Sequence, residues 1–385
     1  MQNLLEELNP EQKKAVENTE GPCLVIAGAG SGKTKVLTYK IAYLMQEKQA
    51  KPWNILAITF TNKAANEMKE RVQKLVGEAT NDIWLGTFHS ICVRILRKFI
   101  DRLGFDTSFV IFDTSDQKTL IKNCLKELNI DNKLFTEKSV LAEISNAKND
   151  MLEPTQYCHK YEGEYRKEII GKVYTLYQKR LKENNAVDFD DIINFTIKIL
   201  TDNPDVLEYY SEKFRYILVD EYQDTNKAQF TLVSILASRY GNVTAVGDND
   251  QGIYGFRGAD ISNILNFEKD FPGTKIIKLE QNYRCTGNIL KAANAVIKHN
   301  ENKYEKKLWT QNEEGALPAI FCGDDEYVEA NFRKASEGET PKEASECSSE
   351  EAKEFVNAHN RSVSDKTDYE ETLYSTVAVP VAKLM

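Results

Sequence analysis

Short apolar runs alternate with amphipathic stretches from Leu24 to about Leu103. The runs have the length of buried strands, and the stretches between them repeat apolar positions at helical spacing. In chain order they predict strand Cys23–Ile26, helix Lys33–Met45, strand Ile55–Thr59, helix Lys63–Val76, strand Ile83–Leu85 and helix Ser90–Leu103. Strands that alternate with helices favour a parallel sheet covered on both faces.

The pattern changes between Gly104 and about Ala186. Helical periodicity dominates there, lysine and glutamate are dense, and strand signals are few, with one at Phe109–Ile111. Strand signals then resume at Tyr216–Val219, Val243–Val246 and Thr274–Leu279. We therefore predict a first α/β domain formed by residues 1–103 and 188–279, with a helical subdomain inserted at 104–187.

Composition narrows the class of protein. The 385 residues are 41% hydrophobic, which allows two or three domains of about 100–200 residues each. No stretch approaches the roughly 18 consecutive apolar residues of a membrane helix, and no secretory signal is present. The seven cysteines are scattered without metal-binding spacing. These features predict a cytoplasmic protein with reduced thiols and no membrane partner.

Charge is uneven along the chain. The net charge of −9 leaves nucleic-acid binding open, because binding depends on the local potential in a groove rather than on the total. Residues 333–385 carry seven Lys or Arg against eleven Asp or Glu. Low hydrophobicity and acidic excess predict disorder in this segment.

The strongest chemical signal is Ala27-Gly28-Ala29-Gly30-Ser31-Gly32-Lys33-Thr34. It follows a predicted strand and opens a predicted helix, as a phosphate-binding loop does. Glycines let backbone N–H groups converge on an anion, while Lys33 neutralises the β- and γ-phosphates and Thr34 contacts Mg²⁺. Ala27 replaces the consensus glycine, and a plain glycine-rich turn is the alternative. We predict binding of ATP and Mg²⁺ by this segment, together with Lys35.

A second signal is Ile217-Leu218-Val219-Asp220-Glu221-Tyr222-Gln223-Asp224. Its apolar run predicts a core strand that ends on two adjacent carboxylates. Asp220 suits Mg²⁺, which is a hard cation, and Glu221 is the candidate base for the attacking water. Alone, such a pair is as consistent with solvated turn residues, but the phosphate-binding loop favours catalysis.

These segments resemble the UvrD/Rep/PcrA-like superfamily 1 DNA helicases. The resemblance runs from about Leu8 to Phe332 and includes several further ordered motifs. They are Leu8-Asn9-Pro10-Glu11-Gln12, Thr59-Phe60-Thr61-Asn62-Lys63-Ala64-Ala65, Gly86-Thr87-Phe88-His89-Ser90, Asp188-Phe189-Asp190-Asp191, the run from Gly247 to Ala259, and Gln281-Asn282-Tyr283-Arg284.

The resemblance implies a role for each motif in the nucleotide site. Gln12 reads the adenine edge, Tyr283 stacks on the adenine, and Gln251 senses the γ-phosphate. Arg284 acts as an arginine finger from a second RecA-like domain that begins at residues 280–332. The first domain is then the RecA-like motor domain of the family.

The resemblance also implies a single-stranded DNA partner. The residues expected at the DNA are Phe60, Thr61, Asn62, Thr87, His89, Phe189, Tyr254, Phe256 and Arg257. Stacking of bases on aromatic rings tolerates any sequence, which suits a translocating motor. For Phe60, Phe189, Tyr254 and Phe256 core packing is the alternative, and His89 is equally consistent with a buried histidine. Phe256 and Gly255 stand where many relatives have Trp and Arg, which predicts a weaker grip.

The last segment does not resemble the family. After Phe332 no later family motif is recognisable, and residues 333–385 read as an unrelated tail, which a frameshift would explain; a divergent tail is the alternative. The sequence therefore predicts a truncated ATP-dependent 3′-to-5′ helicase or translocase that is deficient in unwinding. A non-enzymatic single-strand- or partner-binding remnant is the alternative, and a small-molecule phosphotransferase leaves most motifs unexplained.

Overall fold

The computed structural model describes residues 4–255, 258–300 and 304–317. Two compact units are present. The first consists of residues up to Asn282 together with Asn300–Lys307, and the second of Tyr283–His299 and residues from Leu308 onward. In the described parts of the chain, no helix has the length and apolarity needed to cross a bilayer.

A six-stranded parallel sheet forms the centre of the first unit. Its strands are β1 Cys23–Ala27, β2 Ile55–Thr59, β3 Trp84–Thr87, β6 Tyr216–Val219, β7 Val243–Gly247 and β8 Lys275–Leu279. They are ordered β3-β2-β6-β7-β1-β8, and every pairing is parallel. A separate two-stranded sheet pairs β4 Val110–Ile111 with β5 Ala186–Val187. The predicted α/β RecA-like parallel sheet with a helical insertion is confirmed.

Helices connect the strands. Those of the first unit are α1 Pro10–Glu17, α2 Lys33–Gln46, α3 Asn62–Val76, α4 Phe88–Phe99, α5 Thr114–Glu127, α6 Glu137–Asn149, α7 Pro154–Lys160, α8 Tyr165–Glu183, α9 Phe189–Asp202, α10 Pro204–Lys213, α11 Lys227–Ala237, α12 Ser262–Leu265 and α13 Phe267–Asp270. Short 3-10 helices cover Pro52–Asn54, Gly77–Asp82, Ile100–Leu103 and Tyr222–Asp224.

Alternation along the buried strands divides the core between the two faces of the sheet. Leu24 and Ile26 of β1 belong to a cluster that includes residues of α4, α9 and α11. Cys23 and Val25 belong to a cluster with residues of α1, α2 and α3. Since successive side chains of a strand point to opposite faces, an uninterrupted apolar run is required here. The central strands β1, β2 and β7 are buried at every position.

The helical insertion has a core of its own. Apolar side chains of α5, α6 and α8 pack together, among them Ile121, Ile144, Val173 and Tyr177. The second unit, as far as it is described, contains α14 Gly287–Ile297 and a small cluster of Cys285, Leu290 and Leu308. There the Asn294 side chain donates to the Leu308 carbonyl over 2.8 Å.

Most predicted elements agree with the structure within a residue or two. The helix predicted at Ser90–Leu103 is the main exception, since α4 begins at Phe88 and gives way to 3-10 geometry at Ile100. Its start is fixed by the Thr87 side chain, which accepts from the Ser90 N–H at 3.2 Å. Residues 333–385, for which the sequence predicts disorder, lie outside the described residues.

Candidate nucleotide and DNA site

All six strands of the main sheet run in the same direction, so their carboxyl ends share one edge. In open parallel sheets this is the edge where ligands bind. We call the residues that follow β1, β6 and β7, as far as Gln251, the nucleotide end. The residues that follow β2 and β3, together with Phe189 and Tyr254, are called the DNA end. Every predicted site residue that the structure describes between Ala27 and Tyr254 belongs to one of the two.

The phosphate-binding loop joins β1 to α2 and is stabilised by hydrogen bonds to its backbone carbonyls. Gly32 has a φ of 90°, a left-handed conformation that suits glycine. A Cβ there would also approach Gln12 Nε2 to 2.6 Å. That nitrogen donates to the Ser31 carbonyl over 2.9 Å, and the Ser31 hydroxyl donates to the Gly28 carbonyl over 2.6 Å. These two hydrogen bonds and the left-handed glycine fix the shape of the loop.

The first turn of α2 is available to an anion. In the described chain no side chain caps it, and a helix N-terminus with uncapped N–H groups attracts phosphate. Thr34 is the second residue of this helix and is partly buried. Lys35 points elsewhere, because its ammonium donates to the Glu7 carbonyl over 2.6 Å. The loop also receives a bond from Asn282, whose side-chain amide donates to the Ala29 carbonyl over 2.7 Å.

The acidic pair lies next to the loop lysine. Lys33 Nζ is 2.8 Å from Glu221 Oε2, although β7 separates β6 from β1 in the sheet. Asp220 is 5% exposed, and its backbone N–H continues the sheet by donating to the Ile58 carbonyl over 3.0 Å. Glu221 has a φ of 47°, an unfavourable conformation for a residue with a side chain and one that often marks functional sites.

Burial and charge shift the pKa values here. Burial alone would lower the pKa of Lys33, but attraction to Glu221, Asp248 and Asp220 outweighs it, so the pKa is raised. Burial, followed by repulsion from Glu221, raises the pKa of Asp220 to about 7. The same two causes raise the pKa of Asp224 to about 7. The nucleotide end therefore has a carboxylate cluster that a cation would stabilise.

Magnesium fits these residues. In the parts of the chain that the structure describes, no group of three or more His, Cys, Asp or Glu side chains could hold a metal alone. Mg²⁺ is usually bound through one or two carboxylates together with substrate phosphates. Asp220 offers a buried carboxylate, and one oxygen of nearby Asp224 is buried without a hydrogen-bond partner among the described atoms. The donor set suits an ion that arrives with a nucleotide.

The loop after β7 is bonded to the acidic pair through Gln223. The Gln223 amide donates to Glu221 Oε2 over 2.9 Å, and its carbonyl oxygen accepts from the Asp248 N–H at 3.0 Å. A Cβ on Gly247 would lie 2.7 Å from that oxygen, so a larger residue there would displace the Gln223 side chain. Gln251 is held beside Asp248, to whose Oδ2 its amide donates over 2.6 Å.

The DNA end has more exposed aromatic surface. Phe189 is 48% exposed and Tyr254, beyond the nucleotide loop, is 39% exposed. The Phe189 ring meets the edge of His89, with 5.7 Å between ring centroids. Burial lowers the pKa of His89, opposed by a hydrogen bond with the Phe189 backbone. Phe60 is partly buried and packs edge-on against Phe88 of the core, 5.6 Å away.

The remaining predicted DNA residues begin helices or lie outside the described chain. Thr61 caps α3 by accepting from the Ala64 N–H at 3.1 Å, and Asn62 is the exposed first residue of that helix. Thr87, which caps α4, is 8% exposed. Phe256 and Arg257 lie outside the described residues.

Two of the residues predicted to contact the nucleotide belong to the second unit. Tyr283 and Arg284 are both exposed there.

A buried charge cluster that the sequence did not predict lies next to Phe189 in the chain. Lys148 Nζ lies 2.6 Å from Asp188 and 2.7 Å from Asp191, and all three side chains are at most 3% exposed. Asp188 is also the N-cap of α9, which begins with Phe189. This triad ties the inserted helix α6 to the element that presents Phe189. A lysine inside the apolar spacing of α6 was the available signal.

Two family models and several known proteins match this chain. Residues 8–272 match the UvrD/REP helicase N-terminal domain, and residues 277–344 match the UvrD-like helicase C-terminal domain, beyond Phe332 where the recognisable motifs stop. The ATP-dependent DNA helicase PcrA of Bacillus subtilis is 56% identical over 329 residues, which are 86% of this chain and 44% of that protein. The PcrA of Staphylococcus epidermidis is 55% identical over 332 residues, 86% of this chain and 45% of the relative.

The chain spans about half the length of the curated relatives that it matches. The N-terminal match covers five of the six strands of the main sheet, all except β8, and includes both the nucleotide end and the DNA end. On that match and these identities, the chain belongs to the UvrD/REP helicase family.

Proposed function

We propose that the chain carries the ATP-binding motor domain of a 3′-to-5′ DNA helicase, which binds Mg-ATP and single-stranded DNA at one edge of its sheet. The observation that carries the proposal is the 2.8 Å contact of Lys33 with Glu221. It brings a phosphate-binding lysine and a general base, distant in sequence, to the same point. The relatives are named ATP-dependent DNA helicases. We propose that the same activity extends to this protein.

Lys33 exchanges partners when a nucleotide enters. Its ammonium now pairs with Glu221, and a bound triphosphate competes for it with several negative charges. Once Lys33 turns to the phosphates, Glu221 is free to accept a proton from the attacking water. Asp220 and Thr34 would hold magnesium, which when bound supplies positive charge to the β- and γ-phosphate oxygens.

Two further groups complete the proposed reaction site. Gln251 would donate one amide N–H to the γ-phosphate while the other stays on Asp248, and Gln223 would keep Glu221 oriented through its 2.9 Å bond. As the family resemblance implies, Tyr283 would stack on the adenine. Arg284 would act as an arginine finger. In this proposal residues 280–332 begin the second motor domain, while 1–103 with 188–279 form the first and 104–187 the insertion.

DNA is proposed to lie across the DNA end. The half-exposed ring of Phe189 and the exposed Tyr254 offer stacking surfaces, while Thr61, Asn62, Thr87 and His89 lie at or near helix N-termini that attract phosphates. Phe60 contributes less surface, since it is partly buried against Phe88. We propose single strands as the substrate because a base in a duplex cannot stack on these rings.

Binding measurements test the proposal. Labelled single-stranded and duplex oligonucleotides of equal length are titrated with the 385-residue chain, over a range of salt, with and without a non-hydrolysable ATP analogue. We expect preference for single strands, affinity that falls with salt and a shift on adding the analogue. A DNA affinity that does not change when the analogue is added would favour a non-enzymatic binding protein instead. Equal affinity for duplex and single strands would refute the single-strand assignment.

A further inference from the structure

A short part of the chain returns from the second unit to the nucleotide end. We call residues 304–307 the return segment; they belong to the first unit, whereas Tyr283–His299 and Leu308 onward belong to the second. Tyr304 is 5% exposed and joins the main core, and its hydroxyl donates to Glu268 over 3.2 Å. The Lys307 backbone N–H donates to Glu280 over 2.8 Å. The segment is thus firmly attached to the first unit.

Lys306 of this segment enters the loop that follows β7. Its side chain is 4% exposed, which is unusual for lysine and requires anionic partners. The ammonium lies 2.6 Å from Asp248 Oδ1 and 3.2 Å from Asn249 Oδ1, and it also contacts the Asp250 carboxylate. The Asn249 amide in turn donates to the Tyr304 carbonyl over 3.4 Å.

Asp248 connects Lys306 to the proposed phosphate sensor. Its Oδ1 pairs with the Lys306 ammonium and accepts a hydrogen bond from the Asp250 N–H. Its Oδ2 accepts a hydrogen bond from the Gln251 amide over 2.6 Å. The two oxygens belong to one rigid carboxylate group. A shift of Lys306 therefore rotates or displaces the acceptor that holds Gln251.

The same aspartate leads on to the catalytic pair. Its backbone N–H donates to Gln223, which donates to Glu221, which accepts from Lys33. Polar contacts therefore run without interruption from the return segment to the phosphate-binding lysine. Two lysines stand at opposite ends of this path. Partly buried Lys33 belongs to the phosphate-binding loop, and buried Lys306 belongs to a segment that is flanked in the sequence by residues of the second unit.

We propose that Lys306 is a positioning residue for γ-phosphate sensing. It sets the Asp248 carboxylate, and through it Gln251, so that displacement of the return segment changes how Gln251 meets the γ-phosphate. The inference rests on the proposed function, because it requires Gln251 to sense that phosphate. A purely structural lysine would affect the binding of all nucleotides equally, and this difference makes the role measurable.

The test measures the discrimination ratio, defined as the dissociation constant for ADP divided by that for a non-hydrolysable ATP analogue, both with Mg²⁺. Gln251→Ala is expected to lower this ratio about threefold to tenfold, the equivalent of one hydrogen bond. Lys306→Met, which keeps the aliphatic stem, should lower it by a similar factor. ADP affinity should stay within about twofold, because the contact lies at the γ-phosphate.

Two more variants separate positioning from folding. The double variant Lys306→Met/Gln251→Ala should lower the discrimination ratio no further than either single variant does, since both substitutions act on one contact. Lys306→Arg, which keeps the charge, should restore at least part of the ratio. Lys307→Ala, in the adjacent exposed lysine, keeps its backbone bond to Glu280 and should leave the ratio unchanged.

The outcomes distinguish the two proposals. If Gln251→Ala abolishes the wild-type discrimination ratio whereas Lys306→Met keeps it, the role of Lys306 is refuted. The proposed function then stands. A wild-type ratio near one would remove γ-phosphate sensing and this inference with it. If Lys306→Met does not fold, Lys306→Gln, which keeps a donor, takes its place with the same two outcomes.

Discussion

The two ends of the ligand-binding edge are built differently. At the nucleotide end, Lys33, Glu221, Gln223 and Asp248 form consecutive hydrogen bonds of 2.8 to 3.0 Å. At the DNA end, Phe189 and Tyr254 present half-exposed rings, and the polar residues mainly cap helices. One end has a connected polar network, and the other has separate surfaces.

This difference corresponds to what each ligand requires. A triphosphate has several charged oxygens that must be aligned before the reaction, and a bonded network provides that alignment. A single strand with any sequence requires contacts that every base offers, and an aromatic face is such a contact. We therefore expect changes at the nucleotide end to act together and changes at the DNA end to act separately.

The largest effect is expected for Glu221→Gln. Removing the proposed base should lower any ATP turnover of the chain by about 10²–10⁴-fold, the usual contribution of general base catalysis. Nucleotide affinity should stay the same or increase, because Lys33 loses its competing partner. Phosphate release and analogue binding are measured on the same preparation, and a variant that hydrolyses ATP at the wild-type rate would remove Glu221 from the mechanism.

Lys33→Ala should come next, with an effect on binding. Charged hydrogen bonds contribute about 1.5–3 kcal/mol, so affinity for the ATP analogue should fall about 10- to 150-fold. Affinity for single-stranded DNA without nucleotide should not change. Lys48→Ala, an exposed lysine just beyond the other end of α2, is the matched control. Equal nucleotide affinity in the two variants would contradict the loop assignment.

Phe189→Ala should produce the converse result. Loss of one stacked base costs about 1–3 kcal/mol, so single-strand affinity should fall about 5- to 150-fold while analogue affinity stays constant. Tyr209, 49% exposed on α10, is an equally exposed aromatic residue away from this edge, and Tyr209→Ala serves as control. A similar loss in both variants would show that Phe189 has no special contact with DNA.

The smallest effect concerns His89 and pH. Its folded pKa is lowered by burial, so the unfolded chain binds the proton more readily. The stability that this histidine contributes is present above its ordinary pKa of about 6.5 and is lost as the pH falls through the lowered folded value. Urea unfolding of wild type and His89→Gln should therefore differ in pH dependence below about pH 6.5. Parallel curves would mean that His89 titrates as in the unfolded chain.

The sequence predicted the nucleotide end well because local pattern determines it. Strands Ile55–Thr59 and Tyr216–Val219 were predicted with their observed bounds, since buried strands of a parallel sheet are continuous apolar runs. The glycine loop and the Asp220–Glu221 pair follow such runs directly. Once the strands are parallel, their ends must share one edge, which brings these residues together.

Contacts between distant segments were not predictable in the same way. Gln12 braces the Ser31 carbonyl, Asn282 holds Ala29, and Lys306 binds Asp248. Each depends on how separate elements pack, and a polar residue in a loop has no periodic signal. The burial of Lys306 was missed for this reason. That of Lys148, which lies at an apolar position of α6, was missed because lysine is ordinarily exposed. The roles of the individual site residues stay predictions.

A structure of the chain with Mg²⁺ and a non-hydrolysable ATP analogue tests the central claim most directly. We predict that the triphosphate lies in the turn between Ala27 and Thr34, with Lys33 Nζ about 3 Å from a β- or γ-phosphate oxygen and no longer paired with Glu221. The metal should lie beside Thr34 and Asp220. A nucleotide bound elsewhere, or a Lys33–Glu221 pair that persists beside the bound triphosphate, would contradict the account.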